Sequence, residues 1–310
     1  MEPIQRRVAL PGVELTYFEW GQPQERVFLF NHATGFHARC WDQVIRRLQS
    51  LCDQPIYALA LDQRGHGRSE KRPPYSWEQY GRDLVHFIEA LELHDIVGIG
   101  HSMGGHVQVQ AAATLPDRFH SLVLLDPVIF DPQVYQDIHA SLSDVKPEDF
   151  PTARRKNHWV NWQEMFERFK HREPFSLWQP EVLKDYCQYG LMPAPAEDPK
   201  GDFVLACPPL VEATIYTGNV AFDIYPLLEK LAFSVLVVRA EQRASAENRG
   251  ADFSKSPTWA GLADALPQGT DLYREDLSHL IPMQAPDWVA QRVCEFGGGS
   301  LPVVGASGKG

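Results

Sequence analysis

Short apolar runs alternate with amphipathic segments along the first 126 residues. The runs cover residues 27–30, 56–61, 96–99 and 122–126, and strands buried on both faces of a parallel sheet have this continuous apolar character. Helices are predicted between the runs at 41–51, 77–93 and 103–114, and the apolar residues of 77–93 recur at spacings of three and four. Residues 8–20, interrupted by Pro11 and Gly12, predict two antiparallel strands. The alternation predicts a parallel sheet flanked by helices.

The alternation breaks between residues 127 and 225. Trp159, Trp162, Phe166 and Phe169 follow one another at spacings of three, four and three, as on one face of a helix. This predicts a helical cap at 128–225 whose apolar underside forms one wall of a substrate pocket. A strand at 233–238, a helix at 259–266, a strand at 270–274 and a helix at 286–296 follow.

The predicted domains are therefore a core of residues 1–127 and 226–297, the cap at 128–225, and a flexible tail at 298–310 that is rich in small residues.

Composition narrows the class of protein. The chain has 310 residues, enough for a large core, and a formal net charge of −11, which disfavours nucleic acid as a partner. No apolar run approaches the length of a membrane span. Five cysteines without C-x-x-C spacing indicate neither a disulfide framework nor a zinc site, so we expect reduced thiols in a cytoplasmic protein with no metal and no cofactor.

One motif carries clear chemistry. Residues 100–104 read Gly-His-Ser-Met-Gly and join an apolar run to a predicted helix. This is the G-x-S-x-G nucleophile elbow, in which flanking glycines allow a sharp strand-to-helix turn. Ser102 is the predicted nucleophile, at the positive end of a helix dipole, and the N–H of Met103 is free to donate to an oxyanion.

The chain resembles the α/β-hydrolase superfamily, specifically its cap-bearing serine hydrolases. The resemblance rests on the elbow, the loop after His32, the glycine-rich turn at 62–69, and Ser-His-Leu-Ile-Pro at 278–282. It implies an eight-stranded, mostly parallel sheet with a cap inserted after the sixth strand, and a nucleophile, acid and histidine in that chain order.

The resemblance also implies the base and the second oxyanion donor. His279 lies in a loop after the last predicted strand, where the fold places its general base. His32 is expected to brace its own loop, and His101, next to the serine, to point elsewhere. The family's second oxyanion donor is the residue two after the strand-ending histidine, which is Thr34; Ala33 stands where glycine is commoner.

The acid has two candidates. The family usually places it after the seventh strand, but Arg243 occupies that position and a cation cannot orient an imidazolium. Asp126, at the end of the sixth strand, is the fold's alternative location and the preferred candidate, with Glu241 next.

The leading functional prediction is a serine hydrolase that cleaves the ester of a small-molecule, apolar substrate through an acyl-enzyme. Serine at 102 argues against family members that use an aspartate nucleophile. A carbon–carbon bond hydrolase or lyase using the same triad stays open, as does a non-catalytic binding protein with a decayed triad. The sequence leaves the oligomeric state open.

Overall fold

The computed structural model describes residues 2–24, 26–133, 145–196, 202–218, 222–242 and 254–298. Eight strands of these ranges form one sheet. They are β1 (Ile4–Leu10), β2 (Val13–Trp20), β3 (Val27–Asn31), β4 (Tyr57–Asp62), β5 (Ile96–His101), β6 (Phe119–Leu125), β10 (Ser234–Ala240) and β11 (Gly269–Arg274).

The sheet order is β1-β2-β4-β3-β5-β6-β10-β11. Strand β2 runs antiparallel to both β1 and β4, and the other neighbouring strands are parallel. The predicted eight-stranded, mostly parallel sheet is confirmed. Strand β5 lies near its centre, between β3 and β6, so the turn after β5 is surrounded by other strand ends.

Helices cover both faces of this sheet. On one face α2 (Trp77–Ala90) and α3 (Met103–Thr114) bury side chains such as Leu84, Phe87 and Val107. On the other, α1 (Asp42–Leu51) packs against α9 (Pro286–Phe296). The prediction of a sheet flanked by helices is therefore confirmed, and the core lies in two layers on either side of the central strands.

The segment between β6 and β10 is not purely helical. It contains α4 (Trp162–Phe169), α5 (Pro180–Tyr189), α6 (Pro209–Thr217) and a three-stranded antiparallel sheet ordered β7-β9-β8. The strands are β7 (His158–Trp159), β8 (Leu191–Pro193) and β9 (Phe203–Leu205). Strands of two or three residues are too short to produce a recognisable alternation, which explains why the sequence predicted helices alone.

Trp159 corrects the predicted helix face. It lies in β7, whereas the helix begins at Trp162, after Asn161 caps the N–H of Glu164. The aromatic residues still share one cluster, because the chain reverses between strand and helix. The ring centroids of Trp159 and Phe169 are 5.6 Å apart. The boundaries of the cap at 128–225 stay a prediction.

The predicted helix at 259–266 is wrong. Residues in this range form successive turns with three-residue hydrogen bonds, including those from Leu262 to Trp259 and from Leu266 to Ala263. Gly261 within the segment and Pro267 at its end disfavour a regular helix. Short helices α7 (Tyr225–Leu228) and α8 (Ile281–Gln284) and several 3-10 helices, the first at Ala38–Trp41, also lie in the described ranges.

Most of the predicted tail, from residue 299 onward, lies outside the described residues. Within the described ranges, every helix is too short or too polar to cross a bilayer.

Candidate active site

Ser102 stands at the turn between β5 and α3. Its φ of 57° and ψ of −120° lie in a region that residues other than glycine rarely adopt. Neighbouring glycines permit the turn: a Cβ on Gly100 would lie 2.4 Å from the carbonyl oxygen of Gly104, and one on Gly104 would lie 2.2 Å from that of Asn31. The spacing of glycines in the motif therefore follows from backbone contacts that leave no room for a side chain.

Ser102, His279 and Asp126 form a continuous hydrogen-bonded chain. The Oγ of Ser102 lies 2.9 Å from Nε2 of His279, and Nδ1 of His279 lies 2.6 Å from Oδ2 of Asp126. Asp126 is fully buried, and Ser102 and His279 are 7% and 8% exposed. This arrangement lets Nδ1 donate to the carboxylate while Nε2 accepts the serine proton.

Asp126 follows β6 with φ of 47°, another left-handed conformation at a strand end. Its Oδ1 accepts hydrogen bonds from the backbone N–H of Ala240 at 3.0 Å, from Ser256 at 2.5 Å and from Thr258 at 3.1 Å. These donors leave Oδ2 for His279. Ser256 and Thr258 could not be predicted as partners of Asp126, because hydroxyl residues in a segment without periodicity give no signal of burial.

The alternative acid, Glu241, is placed elsewhere. Its side chain is exposed and forms an ion pair with Lys255. Within the described ranges, no hydrogen bond joins its carboxylate to His279. Arg243 lies outside the described residues.

Thr34 and Met103 lie against each other beside Ser102. The Oγ1 of Thr34 is 3.2 Å from Sδ of Met103, and both residues are buried. Neither backbone N–H donates a hydrogen bond to any residue that the structure describes. Buried N–H groups without an acceptor are rare in proteins. These two are therefore available to a bound ligand.

Two neutral histidines hold the Thr34 loop. Burial lowers the pKa of His32 and that of His66, so each ring keeps an unprotonated nitrogen as an acceptor. His32 Nε2 accepts the N–H of Gln63 at 3.1 Å, and His66 Nε2 accepts the N–H of Gly35 at 3.0 Å. The bracing predicted for His32 is present in this geometry.

His101 has a contact that sequence reasoning missed. Burial lowers its pKa to about 3, so the ring is neutral, and its Nε2 donates to the backbone carbonyl of His279 at 2.8 Å. Because a carbonyl can only accept, the single ring proton must be on Nε2. His101 therefore fixes the backbone of the residue that contacts Ser102.

Aromatic side chains of the segment between β6 and β10 contact Phe36, which lies in the Thr34 loop beside Ser102. Phe36, two residues after Thr34, lies 5.8 Å from Trp178 and 5.3 Å from Tyr186, measured between ring centroids. The Phe36 ring also lies 6.2 Å from His101. A small pocket beside Phe36 is lined in part by Tyr186 and Arg155, and the guanidinium of Arg155 pairs with buried Glu212.

Comparison with known proteins agrees with this architecture. A model described as the alpha/beta hydrolase family matches residues 27–292. A serine hydrolase-like protein of Danio rerio is 28% identical over 176 residues, which cover 54% of this chain and 53% of that protein. An sn-1-specific diacylglycerol lipase of the same organism is 32% identical over 161 residues, 48% of each chain. The chain thus spans about half the length of these curated relatives.

A solved structure extends the likeness of fold over nearly the whole chain. The crystal structure of E-2-(acetamidomethylene)succinate hydrolase superposes with a TM-score of 0.73 at 22% identity, covering 95% of this chain and 98% of that one. Identity at this level speaks for the fold alone. Together with the family match over residues 27–292, it identifies the chain as a member of the α/β hydrolase family.

Proposed function

We propose that the protein is a serine hydrolase that cleaves a carboxylic ester through an acyl-enzyme intermediate. The supporting observation is the hydrogen-bonded chain from Ser102 Oγ through His279 to Asp126, at 2.9 and 2.6 Å. A serine hydroxyl is a weak nucleophile until a neighbouring base removes its proton. An imidazole held between a hydroxyl and a buried carboxylate supplies that base.

In the acylation step, Ser102 Oγ attacks the ester carbonyl while His279 Nε2 takes the hydroxyl proton. The backbone N–H groups of Met103 and Thr34 stabilise the oxyanion of the tetrahedral intermediate. Asp126 stabilises the imidazolium that forms and keeps its orientation. His279 then gives the proton to the departing alcohol, and the acyl group remains on Ser102.

In the deacylation step, water attacks the acyl carbonyl and His279 takes its proton. The second tetrahedral intermediate is held by the same two N–H groups. When it collapses, His279 returns the proton to Ser102 Oγ and the carboxylic acid leaves. Because Asp126 already holds Nδ1, the ring keeps one orientation in both steps.

The surroundings support an apolar substrate of small to medium size. Phe36, in the Thr34 loop, stacks on Trp178 and contacts the tilted ring of Tyr186, and burial of apolar surface favours acyl or alcohol groups without charge. Two of the relatives are named as a diacylglycerol lipase and an esterase, which fits the same bond class. The cytoplasmic location expected from the cysteine content stays a prediction.

The geometry of the site argues against the hypothesis of a non-catalytic binding protein. Its main support was Arg243 in the usual acid position, but Asp126 supplies a buried carboxylate to His279 from another strand end. A carbon–carbon bond hydrolase could use the same three side chains, and substrate tests distinguish it from an esterase.

The first test is covalent labelling of Ser102. A fluorophosphonate probe should label the wild type and fail to label Ser102→Ala, because only an activated serine reacts. The matched control is Ser50→Ala, which alters an exposed serine on α1 and should leave labelling unchanged. An unlabelled wild type would overturn the serine mechanism.

The second test identifies the class of bond that the protein cleaves. A series of p-nitrophenyl esters with acyl chains of increasing length should be hydrolysed, with kcat/KM rising as more apolar surface is buried and falling once the pocket is filled. Strong labelling by the fluorophosphonate without turnover of any ester would favour the carbon–carbon bond class instead.

A further inference from the structure

Two of the five cysteines meet although 242 positions separate them. Cys52 directly follows α1, Cys294 lies within α9, and their Sγ atoms are 2.7 Å apart as free thiols. A disulfide bond has a length of about 2.05 Å, so the sulfurs need to move together by only about 0.7 Å. The spacing of the cysteines along the chain does not indicate this pair.

The two sulfurs differ in their access to solvent. Cys294 is fully buried against the helix pair, whereas Cys52, at the end of α1, is partly exposed. A dissolved reagent can therefore reach Cys52 but not Cys294. The other three cysteines are buried within the core and are at most 5% exposed.

We propose that Cys52 and Cys294 form a redox modification site, which closes to an intramolecular disulfide by exchange with a low-molecular-weight disulfide. The Cys52 thiolate attacks one sulfur of the reagent and forms a mixed disulfide with it. The S–S bond of the reagent breaks, and one reagent thiolate leaves. The Cys294 thiol then loses its proton and attacks Cys52 Sγ. The mixed disulfide breaks and the second reagent thiolate leaves, so two protein thiols are oxidised and one reagent disulfide is reduced to two thiols.

The rate of the first step depends on the environment of Cys52. Burial and the neighbouring Cys294 raise the pKa of the Cys52 thiol, so its thiolate is scarce at neutral pH and exchange is slow. The site is suited to sustained oxidising conditions rather than to rapid signalling.

The bond would join the end of α1 to the helix that follows the His279 loop. Helices α8 and α9 follow His279 in the chain, and α8 begins at Ile281. A covalent link between residues so distant in sequence restricts the unfolded chain strongly. We therefore expect a higher thermal stability in the oxidised protein and no change at Ser102.

The test uses glutathione disulfide with the full chain at about pH 8.5, where thiolate is more abundant. Intact mass and thiol titration should show that the wild type loses two free thiols and two hydrogens and keeps no adduct. Cys294→Ser should accumulate one glutathione adduct on Cys52, since the second step is blocked. Cys52→Ser should acquire none.

The matched control is Cys207→Ser, which should still form the bond between the remaining pair. Oxidised wild type should melt several degrees higher than reduced wild type, and a reductant should reverse the shift. A wild type that keeps five free thiols, or that holds a stable glutathione adduct, would overturn the proposal. The comparison of oxidised with reduced wild type needs no variant, so it tests the proposal even if a substitution impairs folding.

Discussion

Asp126 illustrates how a single side chain is prepared for a role by its neighbours. Its left-handed backbone turns the carboxylate toward the loop of His279, and three donors hold Oδ1 so that Oδ2 remains for the imidazole. No donor in this set is charged. The carboxylate is therefore held by neutral hydrogen bonds, and no nearby cation competes with His279 for it among these contacts.

Substitution of this carboxylate tests its role directly. We expect Asp126→Asn to lower kcat by about 10⁴-fold, because an amide cannot hold the required tautomer or stabilise the imidazolium. The measurement is steady-state hydrolysis of the best ester of the series. Glu241→Gln is the control and should leave kcat within about twofold, since Glu241 pairs with Lys255 on the surface. A steep loss of kcat in Glu241→Gln, together with an unchanged kcat in Asp126→Asn, would assign the acid to Glu241.

At the scale of elements, the sequence predicted best where periodicity extended over several residues. Strands β3, β4, β5 and β6 and helix α9 were placed within a few residues of their observed bounds. The errors fall on short or mixed segments, namely the strand containing Trp159 and the turns at 259–266. Local pattern cannot reveal these segments, because contacts with distant residues decide their conformation.

The same limit applies to the candidate site. The sequence selected Ser102 and His279 from motif and chain order, and the structure places them within hydrogen-bond distance. It could not select Ser256 or the contact of His101, which depend on how separate loops meet. The catalytic roles of all these residues stay predictions.

The turn between β5 and α3 provides a prediction at this scale. Gly100→Ala should lower the free energy of unfolding by about 3 kcal/mol, because the added methyl meets backbone atoms of Gly104 and Gly105 that cannot move aside. Gly12→Ala is the matched control: no atom lies within 4 Å of its Cβ position, so only the strain of φ 81° remains, about 1 kcal/mol. Urea unfolding followed by circular dichroism measures both, and equal losses would contradict the steric explanation.

For the whole molecule, buried histidines link folding to pH. Burial lowers the pKa of His37, His101 and His106 to about 3 each. The unfolded chain, with an ordinary histidine pKa near 6.5, binds these protons at a higher pH than the folded chain does. The folded state is thus favoured above about pH 6.5, and this contribution is lost as the pH falls from there toward 3.

We therefore expect these histidines to lower stability on acidification from pH 7. Between pH 7 and pH 5, each of the three histidines should reduce the free energy of unfolding by about 2 kcal/mol. Urea unfolding at several pH values measures the slope of the free energy of unfolding against pH. Replacing buried His106 by Gln should make the slope shallower, whereas the exposed His120 replaced by Gln should leave it unchanged. A stability independent of pH over this interval would contradict the proposed linkage.

The long segment between β6 and β10 leaves the sheet directly after Asp126 and returns to the strand that pairs beside it. Such a connection can lengthen, shrink or be exchanged between relatives without disturbing the ends of β5 and β6, which Ser102 and Asp126 follow, or the loop that holds His279. Variation there must respect the described contacts with the rest of the chain, among them the apolar contacts at Phe36, Cys40, Leu280 and Met283 and the hydrogen bond from Gln43 to Asp185. Natural selection could thus alter the surroundings of the site while the hydrogen-bonded chain of Ser102, His279 and Asp126 stays where it is.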